Sequence, residues 1–333
     1  MSNRIMRRFI YIWSGNNFPY VNVLSVVSTL KSHPNAQIIV YFVGETPKSE
    51  WSELLENIPQ VSIVHTSPDE IFAQLPQHLE KVAEVFHALS PNALSAQSNI
   101  LRYALLYLFG GVYLDFDVLV LRPLDELLNC EAFVGEELVW ADNESRLHGQ
   151  TNIYLAPRNI LWAVTHCLMW LDSHVTKGRL RIAELLQPTF RHWSRNKCNN
   201  AVIGASQRSE FIEELLLGVF TASTTIRYAT GPTLIDKVVC RQSSNVDRRP
   251  STDFYAVPPG QSYRLFHDRY LSLPQSAFLI HYVASNHPRF VSDCEPLQDA
   301  GYDKDTVIGS ILNELSQEIH TLVSPHQKIK VHA

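Results

Sequence analysis

The 333-residue chain has no apolar run approaching the 18 or more residues that a membrane-crossing helix requires. It has no C-x-x-C pair, which removes the usual zinc and dithiol patterns. Cys130, Cys167, Cys198, Cys240 and Cys294 are odd in number and dispersed, and they read as reduced thiols of a cytoplasmic protein. There is no G-x-x-x-x-G-K-[ST] loop, and Asp115-Phe116-Asp117 lacks the glycine of D-F-G, which excludes kinases. The absence of G-x-S-x-G and H-E-x-x-H leaves serine-hydrolase and zincin mechanisms without support. Positive charge is also in short supply: 28 Lys and Arg face 33 Asp and Glu, for a net charge of -5. A nucleic-acid partner, whose affinity rests largely on phosphate neutralisation, is therefore not expected. Arg4, Arg7 and Arg8 precede Phe9–Trp13, but that apolar run is too short for a signal-peptide core.

What remains is an ordinary globular composition, 45% hydrophobic and 18% charged. Strands are expected at Phe9–Trp13, Gln37–Val43 and Val61–His65, with helices at Tyr20–Lys31 and from about Lys48 between them. That alternation predicts an α/β fold with an open, mostly parallel sheet flanked by helices, whose ligands sit at the carboxyl ends of strands. A helix capped by Ser90 and Pro91 carries Ile100, Leu101, Ala104, Leu105 and Leu108 at helical spacing and stops at Gly110-Gly111. Asn99 and Arg102 share one of its faces. A polar loop is expected at Trp140–Gly149, a strand at Asn152–Leu155, a helix from Asn159 to about His174, and a mobile basic loop at Arg241–Pro250. Residues 1–300 read as one domain, and the amphipathic helix within 301–333 as packed on it.

The most informative stretch is Gly110 to Leu121, a buried-strand pattern that contains Asp115 and Asp117. Carboxylates taken out of water need a partner, a proton or a cation. On one continuous strand both would face the same side, with Phe116 on the other, and oxygen-only ligands of this kind suit Mg2+ or Mn2+. A strand end meeting solvent or a nearby arginine accounts for the same pair without a metal.

Ser98-Asn99-Ile100-Leu101-Arg102-Tyr103, followed by Leu106 to Asp117, resembles the sugar-transferase family defined by a D-x-D motif. That group includes yeast initiating α-1,6-mannosyltransferases, α-1,4-galactosyltransferases, bacterial capsule enzymes and, more distantly, clostridial glucosylating toxins. Ile12 to Gly15, Thr230-Gly231-Pro232 and Ile280-His281-Tyr282 are similar to further family segments in the same order. The resemblance implies a GT-A fold, a nucleotide-sugar donor, a divalent ion (Mn2+ or Mg2+) and retention of anomeric configuration. It implies that Asp117 binds the metal, with Asp115 at the ribose or reaching the metal through water. Trp13 would stack on the base beside Gly15, and Arg102 would bind donor hydroxyls or phosphate. Asn99 and Asn152 would face the donor sugar, and His281 with Asn286 or His287 would complete the metal shell. Asn99 stands where many relatives carry Asp, and Ser285 is followed by Asn286 rather than Trp.

The expected function is transfer of a hexose from a UDP-sugar to a glycan or glycolipid at the cytoplasmic face of a membrane, where the protein would associate peripherally. A toxin-like enzyme acting on a protein acceptor would share the donor site. Rivals from other classes are a haloacid-dehalogenase-type phosphatase, whose late acidic pair would have to be Asp303 and Asp305, and a non-catalytic sugar-binding module.

Overall fold

The computed structural model describes residues 4–140, 156–222, 229–241, 245–294 and 302–322. Its first strands are β1 (Arg8–Trp13), β2 (Gln37–Val43) and β3 (Val61–Thr66), joined through helices α1 (Tyr20–Ser32) and α2 (Glu50–Glu56). Both faces of β1 are covered. Phe9 and Tyr11 enter one apolar core, and Ile10 and Ile12 enter the core on the other side of the sheet. Such doubly buried parallel strands read as continuous apolar runs, so these boundaries are visible in the sequence.

Helix α3 (Leu94–Phe109) leads into β4 (Gly111–Leu114), which lies parallel beside β1. It begins after a turn at Ser90–Ala93, not at Ser90 as expected: the Ser90 hydroxyl accepts from Asn92 N at 3.3 Å, so its capping capacity closes the turn. At the far end Gly110 has φ +62° and Gly111 φ +119°. A Cβ on Gly111 would fall 2.6 Å from the Arg8 carbonyl oxygen, so this helix-to-strand turn accepts only glycine without displacement.

The expected continuous strand through Asp115 and Asp117 is divided. β4 stays in the main sheet, the chain turns with Val118 N donating to Asp115 O at 3.1 Å, and β5 (Val118–Val120) departs. The departure is set by other partners. Ser25 on α1 donates to Val118 O at 2.6 Å, and Ser28 accepts from Val120 N at 2.9 Å. The other edge of β5 pairs antiparallel with β9 (Leu279–His281), bringing Val118 opposite His281.

The remaining strands are β6 (Ala132–Trp140), β7 (Ser194–Ala205) and β8 (Val246–Arg249), giving the order β3-β2-β1-β4-β7-β6-β8. β7 is antiparallel to β4 and β6, and the other four pairings are parallel, so the expected open, mostly parallel α/β sheet is present. β8 corrects the expected mobile loop at Arg241–Pro250. It pairs with β6, and its charges are engaged, Arg248 with Glu136 at 2.5 Å and Arg249 with Asp253 at 2.7 Å. The helix Ala156–Leu171 runs near its expected position, and its final turns to Thr176 are π-helical. The helix Val307–Leu322 packs on α1, and its Ile308, Leu312, Leu315 and Ile319 join the same core as β1. The expected loop and strand within 141–155 lie outside the described residues.

Candidate active site

Asp115 and Asp117 occupy the turn where the chain passes from the main sheet to the β5/β9 ribbon. Asp115 meets the guanidinium of Arg102 twice, Nη1 to Oδ2 at 3.4 Å and Nη2 to Oδ1 at 3.2 Å, while the Tyr113 hydroxyl donates to Oδ1 at 2.5 Å. Arg102 projects from α3 across the Tyr113 ring, 4.4 Å from its centroid, and is anchored by Ser98 and by the Asn200 carbonyl. Burial works against its charge, but the Asp115 carboxylate holds its pKa above the ordinary value. For Asp115 burial prevails: desolvation, reinforced by Asp117, raises its pKa even though Arg102 opposes the rise.

Asp117 behaves in the opposite way. Burial disfavours its charge, yet His281 Nε2 lies 3.2 Å from Oδ1 and Ala284 N donates to Oδ2 at 2.9 Å, and together they lower its pKa. His281 is buried too, which should depress its pKa, but Asp117 pushes it up to about 9. Without a metal, the imidazolium is therefore the cation that Asp117 holds. Behind it the Tyr255 ring stands edge-on at 5.7 Å, and the Tyr255 hydroxyl and Glu137 Oε2 are buried without a hydrogen-bond partner among the described residues.

Asn99 is buried on α3 beside Arg102. Its Oδ1 accepts from the Asn200 amide at 2.6 Å, and its own amide donates to the Thr230 hydroxyl at 3.3 Å. The Thr230-Gly231 turn thus closes on Asn99, and a Cβ at Gly231 would sit 2.7 Å from the Asn99 amide nitrogen. Trp13 is half-buried at the end of β1, edge-on to Phe116 at 5.7 Å, and its Nε1 donates to the Gly15 carbonyl at 3.2 Å.

Asp115, Asp117, Arg102 and His281 therefore converge, with Asn99 and Trp13 alongside. The Asn286 amide nitrogen is turned to other partners, donating to Pro259 O at 3.1 Å and Ser262 Oγ at 3.3 Å. His287 likewise faces Ser262 Oγ at 2.9 Å. Asn152 lies outside the described residues. Tyr113 and Asn200 belong to the cluster and were missed in the sequence. Their signal was available: Tyr113 precedes Asp115 by one strand repeat, and Asn199-Asn200 is an amide pair just before an apolar strand run.

Among the described residues no group of three or more His, Cys, Asp or Glu is arranged to hold a metal ion by itself. The donor set nevertheless suits a hard cation of the Mg2+ type, which is commonly held by one or two carboxylates with substrate phosphates and water supplying the rest. Asp303 and Asp305, the acidic pair a phosphatase would need, are paired with Arg269 instead.

Residues 20–134 match the family described as glycosyltransferase sugar-binding region containing DXD motif. A rat lactosylceramide 4-alpha-galactosyltransferase is 33% identical over 119 residues, 34% of this chain and 33% of the relative. Glucan organizing enzyme 1 of Cryptococcus neoformans var. grubii is 28% identical over 127 residues, 37% of this chain and 29% of that protein. The chain thus matches about a third of the length of these curated relatives. Among solved structures, the galactosyltransferase LgtC with donor and acceptor sugar analogs aligns over 93% of this chain and 95% of its own, at 12% identity and a TM-score of 0.45. No helix among the described residues is long and apolar enough to cross a membrane.

Proposed function

We propose that the protein is a metal-dependent, retaining glycosyltransferase that moves a hexose from a UDP-sugar to a glycan or glycolipid. The observation that carries this reading is the pairing of Asp115 and Asp117 in one turn with opposite electrostatic settings, inside a matched DXD sugar-binding region. Asp117, with Asp115 beside it, would hold the Mn2+ or Mg2+, which would neutralise charge developing on the departing diphosphate. Arg102 holds Asp115 in place, its guanidinium being engaged by Asp115, Ser98 and the Asn200 carbonyl. With a metal on Asp117, His281 would lose the carboxylate that keeps it protonated and would offer a neutral imidazole nitrogen to that metal. Asn99, buried and held by Asn200 and Thr230, would place an uncharged amide beside the donor sugar. Trp13, edge-on to Phe116, supplies a ring for the base.

The lactosylceramide named for the galactosyltransferase relatives supports a glycolipid acceptor, and action beside the cytoplasmic face of a membrane fits five cysteines without a disulfide. The reading is tested by offering UDP- and GDP-sugars with Mn2+ and measuring nucleotide release in wild type and Asp117→Ala. Metal-dependent release from a UDP-sugar, lost in a variant that stays folded, is expected. No release from any donor, even with acceptors present, would favour a sugar-binding module.

A further inference from the structure

Among the described residues twelve large hydrophobic side chains are exposed, and eight of them fall between Ile160 and Leu185. Ile160, Val164, Leu168 and Leu171 recur at helical spacing along one side of the helix Ala156–Leu171, and exposed Val175 follows in its π-helical end. The opposite side is packed inward through Thr165 and Met169. From Ile160 to Leu171 the sequence contains no Asp, Glu, Lys or Arg. A helix that is apolar on its solvent side as well as its core side needs a second cover, in another protein or in lipid.

The stripe runs into a turn that is firmly built. The Asp172 carboxylate accepts from Leu180 N at 3.1 Å, from Ile182 N at 2.9 Å and from the Thr176 hydroxyl, and Lys177 and Arg181 take left-handed φ values of +58° and +54°. This holds Leu180, 63% exposed, between Arg179 and Arg181, with Leu185, 77% exposed, one helical turn further on. Lys177, Arg179, Arg181, Arg191 and Arg195 are all exposed, and the one acid between Lys177 and Arg195 is Glu184, whose carboxylate is taken by Arg264 at 2.7 Å. In a chain with a net charge of -5, this is a local reversal of sign.

The position relative to the aspartates follows from the sheet register. Val202 of β7 lies opposite Leu114, the last residue of β4, and β7 runs back from there through Asn200 to Ser194, opposite Trp140. The helix Ile182–Trp193 enters β7 at Ser194, and His166 meets the Trp140 ring at 6.5 Å. Both helices therefore attach at the end of the sheet where β4 delivers the aspartates, and Ser194 is at most about 20 Å along β7 from Asn200.

We propose that the face from Ile160 to Leu185 seats in the surface of an anionic lipid bilayer, its apolar stripe entering the interface and its arginines meeting the headgroups. Twelve residues without charge are too few to cross a bilayer, so the helix lies in the interface. Exposed Trp170 suits the same depth. A second copy of this chain would cover the apolar stripe less well, because a two-fold contact would bring an equal set of cations to the same face.

The test uses the full chain without metal or donor, with vesicles of phosphatidylcholine alone and of phosphatidylcholine with phosphatidylglycerol, binding being read by vesicle flotation. Affinity for the anionic vesicles should exceed that for the neutral ones by about tenfold or more and fall as salt is added. The pair Leu180→Ser and Leu185→Ser, and separately the pair Arg179→Gln and Arg181→Gln, should each weaken anionic-vesicle binding by about tenfold or more. Circular dichroism and thermal melting should stay as in wild type, since all four side chains are exposed. No vesicle binding, equal binding to the two vesicle types, or unchanged binding in either folded double variant would overturn the proposal. So would a dimer in analytical ultracentrifugation that the leucine pair abolishes, which would give the face to a second copy. No donor, acceptor or turnover enters the readout, so failure here leaves the transferase reading standing.

Discussion

The two aspartates sit one residue apart and belong to different parts of the molecule. Asp115 ends the main sheet, and its partners, Arg102 and Tyr113, lie within 13 residues of it. Asp117 opens the β5/β9 ribbon, and its partners, His281 and Ala284, come from the C-terminal region, Ala284 being 167 residues away. One carboxylate is set by a local helix and strand, and the other acquires its environment only when β9 has returned to β5. The electrostatic result differs accordingly: burial raises the pKa of Asp115, while the histidine partner lowers that of Asp117. A pair that is symmetric in sequence has become one carboxylate clamped by arginine and one released to a cation.

The largest break in this comparison comes from Asp117→Ala. Loss of the carboxylate assigned to the metal should reduce nucleotide release by about a thousandfold, the equivalent of several kcal/mol of charge stabilisation. Steady-state rates at saturating Mn2+, with circular dichroism to establish folding, would check it. Arg102→Ala tests the other half. It leaves the Asp115 carboxylate without its cation in a largely buried site, and urea unfolding should show destabilisation of about 3 kcal/mol.

The pH response should distinguish the ribbon from the sheet. The folded pKa of His281, about 9, exceeds its unfolded value of about 6.5, so its contribution to stability is fully present below the unfolded value and fades as pH rises through about 9. Melting of metal-free protein between pH 6 and 9.5 should show this decline, and His281→Ala should flatten it. Mn2+ affinity should rise through the same window, because metal and imidazolium compete for Asp117. Trp13→Leu, which removes a neighbour of Phe116 and none of the carboxylates' own partners, should have the smallest effect: KM for the donor up about tenfold with kcat little changed, as expected for a lost stacking contact.

The parallel strands were legible because burial on both faces writes them as apolar runs; β2 occupies the expected Gln37–Val43. The division of the Asp115–Asp117 segment was not legible. It depends on Ser25 and Ser28, which read as helix residues until their hydroxyls are seen at the edge of β5. The basic composition of residues 241–250 suggested a loop because the partners of its arginines, Glu136 and Asp253, are not apparent in the local pattern. Helical spacing places Arg102 and Asn99 on one face near the motif and the family resemblance assigns them to the donor, whereas Asn200 reaches them only through the pairing of β7 with β4. The Asn286 amide nitrogen meets Pro259 and Ser262, partners that lie far from it in sequence and carry no local signal.

The central claim, that Asp115 and Asp117 form a metal-diphosphate site, is tested most directly by calorimetric titration of UDP into the protein with and without Mn2+, in wild type and folded Asp117→Ala. Binding that requires Mn2+ and disappears in the variant is predicted. Equal UDP affinity with and without metal, unchanged in Asp117→Ala, would contradict it.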